Sequence, residues 1–212
     1  MMLHTMPVTE LATNCYIISC DGKTALIIDP GGEGERIAAW LRENNLRPEW
    51  IVCTHGHGDH IGANTFLKET FIDLRIAIGA DDVEYLTSPM KNMSLLMARR
   101  IKSPPADRLL SNGDRFEFQD LSFDVIAVPG HTPGGLCLYT RLPGGNDGSI
   151  LFSGDSLFAG SIGRSDIPGG DGELLVRTIR EKLLVLPPET VVYPGHGPQT
   201  TIAQEKKSNP WL

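Results

Sequence analysis

The chain has 212 residues, of which 41% are hydrophobic and 21% charged, a composition typical of one or at most two compact domains with a sizeable core. Its formal net charge is −7, and it has no run of five or six basic residues, so neither nucleic acid nor an anionic membrane is an expected partner. The first residues lack the basic start and apolar stretch of a signal peptide, and no apolar run approaches roughly 18 residues, so we expect a cytoplasmic protein.

Short apolar runs punctuated by glycine and proline predict many strands and few helices. Residues 14–29 predict a hairpin with Asp21 and Gly22 in its turn, preceded by an edge strand in which His4 has a structural role. Residues 34–44 predict an amphipathic helix. The chain then predicts a strand at 50–54, a helix at 61–69, a strand at 74–79, two strands within 115–128, strands at 136–140 and 149–153, a helix at 172–184 and a strand at 190–194. This order predicts an α+β fold whose sheets carry helices on their outer faces.

Residues 88–105 read SPMKNMSLLMARRIKSPP and combine methionines with basic residues. Met90, Met93 and Met97 would fall on one face of a helix. Packing in the core or at a dimer contact is the favoured interpretation. A substrate-gripping or lid role is the alternative, because methionines adapt to ligands and basic residues suit an anionic substrate.

Four of the predicted strands end in the same way, with glycine followed by histidine or aspartate. WIVC runs into THGHGDH (54–60), DVIAV into PGHTPGG (129–135), SILF into SGDS (153–156) and TVVY into PGHG (194–197). If these strands are neighbours, their loops converge at one sheet edge, where glycines let the backbone approach closely. Five of the six histidines of the chain would then meet there.

Imidazoles and carboxylates are ligands of zinc and similar cations, and the absence of cysteine from these loops argues against a closed structural zinc site. A single histidine in a glycine-rich turn is more typical of a hydrogen-bonding residue than of a ligand, but seven candidates on four strand ends predict an open, hydrolytic metal site. A carboxylate such as Asp155 is able to bridge two ions. The seven predicted ligands are His55, His57, Asp59, His60, His131, Asp155 and His196.

These motifs, together with GDSLF (154–158), GRSD (163–166) and YPGHG (193–197), resemble the metallo-β-lactamase superfamily, and within it the glyoxalase II group of thioester hydrolases. The resemblance covers nearly the whole chain. It implies an αβ/βα four-layer sandwich formed by a single domain over residues 1–212. It also implies that His55, His57 and His131 surround one metal ion and Asp59, His60 and His196 the other, with Asp155 bridging.

Two departures from glyoxalase II affect the predicted substrate. The chain stops about fifteen residues after PGHG, so we expect no C-terminal helical substrate domain. Arg164 of GRSD aligns where the long enzymes have a lysine, and we expect it to hold a carboxylate of the substrate, with a structural ion pair to Asp166 as the alternative. The identity of the carrier thiol is left open.

Other members of the superfamily offer alternatives. GRSD-like sequences also occur in persulfide dioxygenases, which use one iron, and this is the second functional hypothesis. A non-catalytic metal-binding module is the third. β-Lactamases usually have a cysteine at the position of Asp155, and flavodiiron proteins a glutamate at that of His57, so both classes are disfavoured.

The favoured function is hydrolysis of a thioester, of the hydroxyacylglutathione type, by a metal-bound hydroxide that Asp59 and Asp155 orient. The expected cofactors are two divalent metal ions, zinc or iron or a mixture. Two such ions, one hydroxide and two aspartates sum to roughly +1, which favours a small anionic substrate. The sequence assigns no oligomeric state.

Overall fold

The structure, a computed structural model, describes residues 1–142 and 148–212. These residues divide into two compact units, residues 1–109 and residues 110–212. The single domain over residues 1–212 stays a prediction. Among the described residues, every helix is too short or too polar to cross a membrane.

The first unit is built on a six-stranded sheet. Its strands are β1 (Met2–Val8), β2 (Thr13–Ser19), β3 (Thr24–Ile28), β4 (Arg47–Cys53), β5 (Arg75–Gly79) and β6 (Arg108–Leu110), and they are ordered in the sheet as they are in the chain. β1, β2 and β3 are antiparallel, whereas β3, β4 and β5 are parallel. The carboxyl ends of β3, β4 and β5 therefore share one edge of the sheet.

The predicted hairpin of β2 and β3 is confirmed. Asp21 caps its turn by accepting hydrogen bonds from the amides of Lys23 (2.8 Å) and Thr24 (2.9 Å). Gly22 has a φ of 67°, which glycine adopts without strain. His4 lies in the edge strand β1, as expected, and stacks on Trp40 with ring centroids 4.2 Å apart.

Three short α-helices accompany this sheet: α1 (Gly34–Glu43), α2 (Gly58–Ile61) and α3 (Asn64–Thr70). The predicted helix at 34–44 is confirmed, and its apolar face buries Ile37 and Leu41 in the core of the unit. The predicted helix at 61–69 is in part wrong, because α2 ends at Ile61 and a separate helix begins at Asn64.

The segment 88–105 does not form the expected helix with a methionine face. Only one short 3₁₀ turn, Ser94–Met97, interrupts its irregular backbone. Met93 and Ala98, on either side of that turn, adopt left-handed φ values of 63° and 54°. The cause is local: the side chains of Asn92 and Ser94 form hydrogen bonds with backbone amides and carbonyls that would otherwise pair within a helix.

The second unit contains the other six-stranded sheet. The sheet consists of β7 (Arg115–Phe118), β8 (Leu121–Ala127), β9 (Leu136–Arg141), β10 (Ser149–Gly154), β13 (Val191–Pro194) and β14 (Thr200–Thr201). The spatial order of these strands is β14-β13-β10-β9-β8-β7. A separate small hairpin is formed by β11 (Leu157–Phe158) and β12 (Ser161–Ile162). β10 is parallel to β13, and β9 is antiparallel to both β8 and β10. The carboxyl ends of β8, β10 and β13 consequently share one edge. The repeated strand-end pattern predicts a common sheet edge for four strands, and this is in part wrong, because β4 lies in the sheet of the first unit.

Helices α4 (Gly172–Thr178) and α5 (Ile202–Ser208) belong to this unit, and α4 continues as a π-helical turn at Ile179–Leu183. The predicted helix at 172–184 is thus confirmed. Asp171 caps its start by accepting a hydrogen bond from the amide of Leu174 at 2.9 Å. Leu175 and Ile179 are fully buried in the core of the unit.

Candidate metal centre

The turn after β4 is tied to the end of β3 by the buried carboxylate of Asp29. This carboxylate accepts hydrogen bonds from the Thr54 amide (2.7 Å) and the Thr54 hydroxyl (2.6 Å). It also lies 3.0 Å from Nδ1 of His60. A carboxylate only accepts, so Nδ1 of His60 carries the proton and Nε2 carries the lone pair of a metal ligand. Sequence reasoning missed Asp29, although it follows its strand just as Asp155 follows β10.

His55 and His57 form the first pair of predicted ligands. Nε2 of His55 and Nδ1 of His57 are 3.1 Å apart, and both side chains are buried. The Thr54 hydroxyl gives its proton to Asp29, so at 3.2 Å it accepts from Nδ1 of His55 and leaves Nε2 as the basic nitrogen. Zinc–nitrogen bonds of about 2.0–2.1 Å in tetrahedral geometry separate two ligand nitrogens by roughly 3.3 Å. The spacing of this pair is therefore that of two ligands on one ion.

Asp59 and His60 form a second pair. Both residues lie in helix α2, which begins directly after His57. Oδ2 of Asp59 lies 3.6 Å from Nε2 of His60 and accepts a hydrogen bond from Thr13 Oγ1 at 3.1 Å. Thr13, at the start of β2, thus fixes the carboxylate, a role that the sequence pattern does not reveal.

Glycines let the backbone pack tightly around this turn. A Cβ atom at Gly31 would lie 1.5 Å from the carbonyl oxygen of Asp59, and one at Gly56 would lie 2.3 Å from Cβ of Tyr85. The amide of Gly56, between His55 and His57, donates to the fully buried carboxylate of Asp82 at 2.9 Å. Only glycine permits these approaches.

The second unit holds the remaining three predicted ligands at the carboxyl ends of β8, β10 and β13. Oδ2 of Asp155 lies 3.5 Å from Nε2 of His131 and also 3.5 Å from Nε2 of His196. His131 is held by the carbonyl of Arg164, which accepts from its Nδ1 at 2.7 Å and so fixes the tautomer in which Nε2 is the ligand atom. One carboxylate oxygen midway between two imidazoles is the arrangement expected of a bridging residue.

Arg164 contributes to the site through its backbone. A Cβ atom at the preceding Gly163 would lie 1.8 Å from the carbonyl oxygen of Asp155, so the 163–166 loop packs directly on the turn that carries Asp155. The Arg164 guanidinium forms two hydrogen bonds of 3.0 Å with Asp166. This exposed pair raises the pKa of Arg164 and lowers that of Asp166 through their mutual hydrogen bonds and charge. The structural ion pair considered for Arg164 is therefore present, and its role toward substrate stays a prediction.

The donors of both units fit a divalent metal ion. In the first unit, ligand atoms of His55 and His57, of His55 and His60, and of Asp59 and His60 each lie within 4.8 Å of one another. In the second unit the three donors are two imidazoles and a carboxylate. Nitrogen and carboxylate oxygen donors whose second atoms are fixed by hydrogen bonds are typical of zinc and iron sites.

A family model described as the metallo-beta-lactamase superfamily matches residues 8–196. The chain belongs to this superfamily. Hydroxyacylglutathione hydrolase GloC of Haemophilus influenzae is 38% identical to it over 223 aligned positions, which include 100% of this chain and 98% of GloC. Membership of this superfamily assigns the chain to the metallo-hydrolases without specifying a substrate.

Two solved structures extend this similarity to the fold. The crystal structure of the BLEG-1 B3 metallo-beta-lactamase is 40% identical with a TM-score of 0.92, covering 100% of this chain and 99% of that one. The crystal structure of TTHA1623, in a di-iron-bound form, is 36% identical with a TM-score of 0.86, covering 99% of this chain and 100% of that one. The α+β metallo-β-lactamase fold predicted from the sequence is confirmed.

Proposed function

We propose that this superfamily member is a binuclear metal-dependent thioester hydrolase of the hydroxyacylglutathione type. The similarity to GloC carries the proposal, because a named thioester hydrolase is matched over 98% of its length. The seven ligands proposed are those predicted from the sequence: His55, His57, Asp59, His60, His131, Asp155 and His196. Zinc and iron both suit these donors, and TTHA1623 binds two irons.

The reaction adds water across the thioester: a carbon–oxygen bond forms at the carbonyl carbon and the carbon–sulfur bond breaks. The bound ions would supply Lewis acidity that makes water nucleophilic and polarises the carbonyl. The carboxylates of Asp59 and Asp155 orient the attacking water, and Thr13 holds Asp59 in place through its hydrogen bond of 3.1 Å. A thiol with a pKa of about 8.5 leaves as thiolate without a general acid.

The proposal is tested by metal analysis together with three assays on the same preparation. These are release of thiol from a panel of acyl thioesters, oxygen uptake with glutathione persulfide, and hydrolysis of a chromogenic cephalosporin. Thioester hydrolysis with two ions per chain supports the proposal. One iron per chain with oxygen uptake would instead support the persulfide dioxygenase hypothesis. Metal binding without any turnover would support a non-catalytic metal-binding module.

β-Lactam hydrolysis is a second candidate because the BLEG-1 lactamase is 40% identical to this chain with a TM-score of 0.92. The leaving group argues against it. An amine is a much poorer leaving group than a thiolate and needs a proton as the bond breaks. If the protein hydrolyses the cephalosporin faster than every thioester, β-lactam hydrolysis becomes the favoured function.

We further propose a substrate class, a cellular location and a role for Arg164. The substrate is a small anionic molecule, and the protein acts in the cytoplasm. Arg164 is proposed to contact the substrate, which requires its guanidinium to exchange Asp166 for a substrate carboxylate.

A further inference from the structure

Residues 86–103 form a loop that lies directly against the turn carrying His55, His57, Asp59 and His60. The Ser103 amide closes this 86–103 loop by donating to the carbonyl of Leu86 at 2.7 Å. The amide of Gly58, inside this turn (residues 54–60, called the ligand turn below), donates to the carbonyl of Asn92 at 2.8 Å. A Cβ atom at Gly58 would lie 3.0 Å from Cβ of Ser94. The loop is therefore part of the immediate surroundings of these ligands.

The interior of the 86–103 loop is polar and fully buried at its centre. Asn92, 1% exposed, donates to the carbonyls of Tyr85 and Ile101 at 3.0 Å each. Its side-chain oxygen accepts from the amide of Ser94 at 3.1 Å, and Ser94 Oγ accepts from the amide of Ile101 at 3.1 Å. These bonds fix the shape of the loop in advance, so a ligand that binds it pays little to order it.

The outer side of the same loop is apolar. Met90, Leu95 and Leu96 are 76%, 40% and 77% exposed. Single exposed apolar residues are ordinary, but three within seven positions of a loop held in one shape form a patch that indicates a ligand or partner. The left-handed backbone of Met93 and Ala98 bounds the turn that carries both leucines.

Positive charge lies beside this patch. The stretch 88–105 holds four basic residues and no acidic one, in a chain with a net charge of −7. Lys91 pairs with Glu84, and Arg99 pairs with Glu10 at 2.9 Å. Arg100 and Lys102 are exposed, and neither has an ion-pair partner within residues 1–142 and 148–212. The surface thus matches a ligand with an apolar part and an anionic part.

We propose that the 86–103 loop binds the acyl group of the substrate and selects thioesters of apolar acyl groups, such as butanoyl to octanoyl, on an anionic carrier thiol. Leu95 and Leu96 contact the acyl chain, and Arg100 attracts the anionic carrier. This inference rests on the proposed thioester hydrolysis, and it replaces the hydroxyacyl group of hydroxyacylglutathione by an apolar acyl group. Contact with the ligand turn through Gly58 favours a substrate over a membrane surface as the occupant.

The test compares the wild type with the L95S/L96S variant, and an I72S variant serves as the matched control. Ile72 is 90% exposed in the same unit, on the connection between α3 and β5, so its substitution removes a surface apolar side chain away from the loop. Turnover is measured with acetyl and octanoyl thioesters of one carrier. In addition, calorimetry measures binding of S-octyl and S-ethyl thioethers of that carrier, which cannot be hydrolysed, to the metal-loaded proteins.

We expect L95S/L96S to lower the octanoyl-to-acetyl ratio of kcat/KM by about tenfold, from the lost burial of two leucine side chains, and to weaken S-octyl binding by a similar factor. I72S changes neither. An unchanged ratio together with unchanged S-octyl binding would overturn the inference while leaving thioester hydrolysis intact. A different outcome would separate the two proposals. If the protein hydrolyses no thioester but binds the S-octyl thioether more tightly than the S-ethyl thioether, and L95S/L96S abolishes this difference, the loop's role is supported and the proposed function is rejected.

Two further measurements complete the test. R100A is expected to weaken turnover of an octanoyl thioester on an anionic carrier about tenfold more than on an uncharged one such as N-acetylcysteamine. The second measurement is binding of the protein to anionic phospholipid vesicles. If L95S/L96S abolishes vesicle binding while acyl chain length affects neither turnover nor thioether binding, the patch faces a membrane and the inference is overturned.

Discussion

His60 donates its Nδ1 proton to Asp29 across 3.0 Å, and both side chains are at most 1% exposed. The same carboxylate holds Thr54, so a single buried group orients one proposed ligand and anchors the turn that also carries His55, His57 and Asp59. An amide in its place would keep the shape but direct its NH2 group at one or more of these donors, so both metal binding and the anchoring of the turn should weaken.

We expect Asp29→Asn to weaken metal binding by about 10–100-fold, because an amide is a poorer acceptor for the His60 proton than a carboxylate. Competition with a fluorescent chelator measures this. Asp21→Asn, which alters a hairpin-turn cap in the same unit, is the control and should leave the affinity unchanged. Wild-type affinity in Asp29→Asn would show that the carboxylate acts only on the fold.

Asp155→Ala should lower kcat for thioester hydrolysis by at least about a hundredfold, because the oxygen that lies 3.5 Å from both His131 and His196 would be lost. Steady-state kinetics with a saturating thioester and added metal measure the change. Asp120→Ala, an exposed carboxylate on the β7–β8 turn, is the control. Turnover close to that of the wild type would contradict the bridging role.

Metal content is predicted to reach two ions per chain under saturating conditions, since the proposed ligand set suffices for two. Mass spectrometry of metal-loaded protein gives the number. Chelation should abolish thioester hydrolysis and lower Tm, because a metal that binds only the folded chain stabilises it. A content that stays at one iron would assign Asp59 and His60 to hydrogen-bonding roles.

Each of the seven candidate ligands follows an apolar run that reads as a strand, and the structure places each one after a strand of its own unit. Their role as metal ligands stays a prediction. Asp29 obeys the same rule at the end of TALIID but stands apart from any histidine. Asp82 could not be found, since nothing in ADDVEY separates it from the exposed Asp81. Its role depends on a hydrogen bond of 2.9 Å to Gly56, which only the packing of the connection after β5 against the ligand turn creates.

The segment 88–105 shows where sequence periodicity fails. Its methionine spacing of three and four positions is that of a helix face, but Asn92 hydrogen-bonds to the carbonyls of Tyr85 and Ile101, and Ser94 to the amide of Ile101. These side-chain bonds outcompete the weak helix propensity of a short segment flanked by proline. Periodicity reports only which residues would share a face if a helix formed.

The stability of the first unit should depend on pH through Asp107. Burial alone would raise the pKa of Asp107, but hydrogen bonds from Lys68 and from the Ile76 amide at 2.8 Å hold it below its ordinary value. A lowered pKa in the folded state adds stability above the unfolded pKa of about 3.9, and this stability disappears as the pH falls through the folded pKa.

Asp107→Asn should therefore lower the free energy of unfolding by about 0.5–1 kcal/mol at pH 7, a small value because the ion pair is partly exposed. The difference from wild type should shrink below about pH 4. Urea unfolding at both pH values measures it, and Asp73→Asn, whose carboxylate is 82% exposed, is the control. An equal loss at both pH values would show that the charge of Asp107 is not the cause.

Substitution of Arg164 tests whether its ion pair with Asp166 only supports the fold, or whether Asp166 pairs with the guanidinium until substrate binds. Because its guanidinium bonds to Asp166 twice at 3.0 Å while its carbonyl holds His131, truncating the side chain leaves the ligand contact in place. A charged contact that is made equally with the substrate and the transition state affects binding alone, so Arg164→Ala should raise KM for a glutathione thioester by about tenfold or more and leave kcat within a few-fold. A small uncharged thioester should be barely affected. Asp166→Ala separates the two roles, because it frees the guanidinium and should leave KM unchanged or lower it. If both variants raise KM equally on both substrates and lower Tm, the ion pair serves the fold alone.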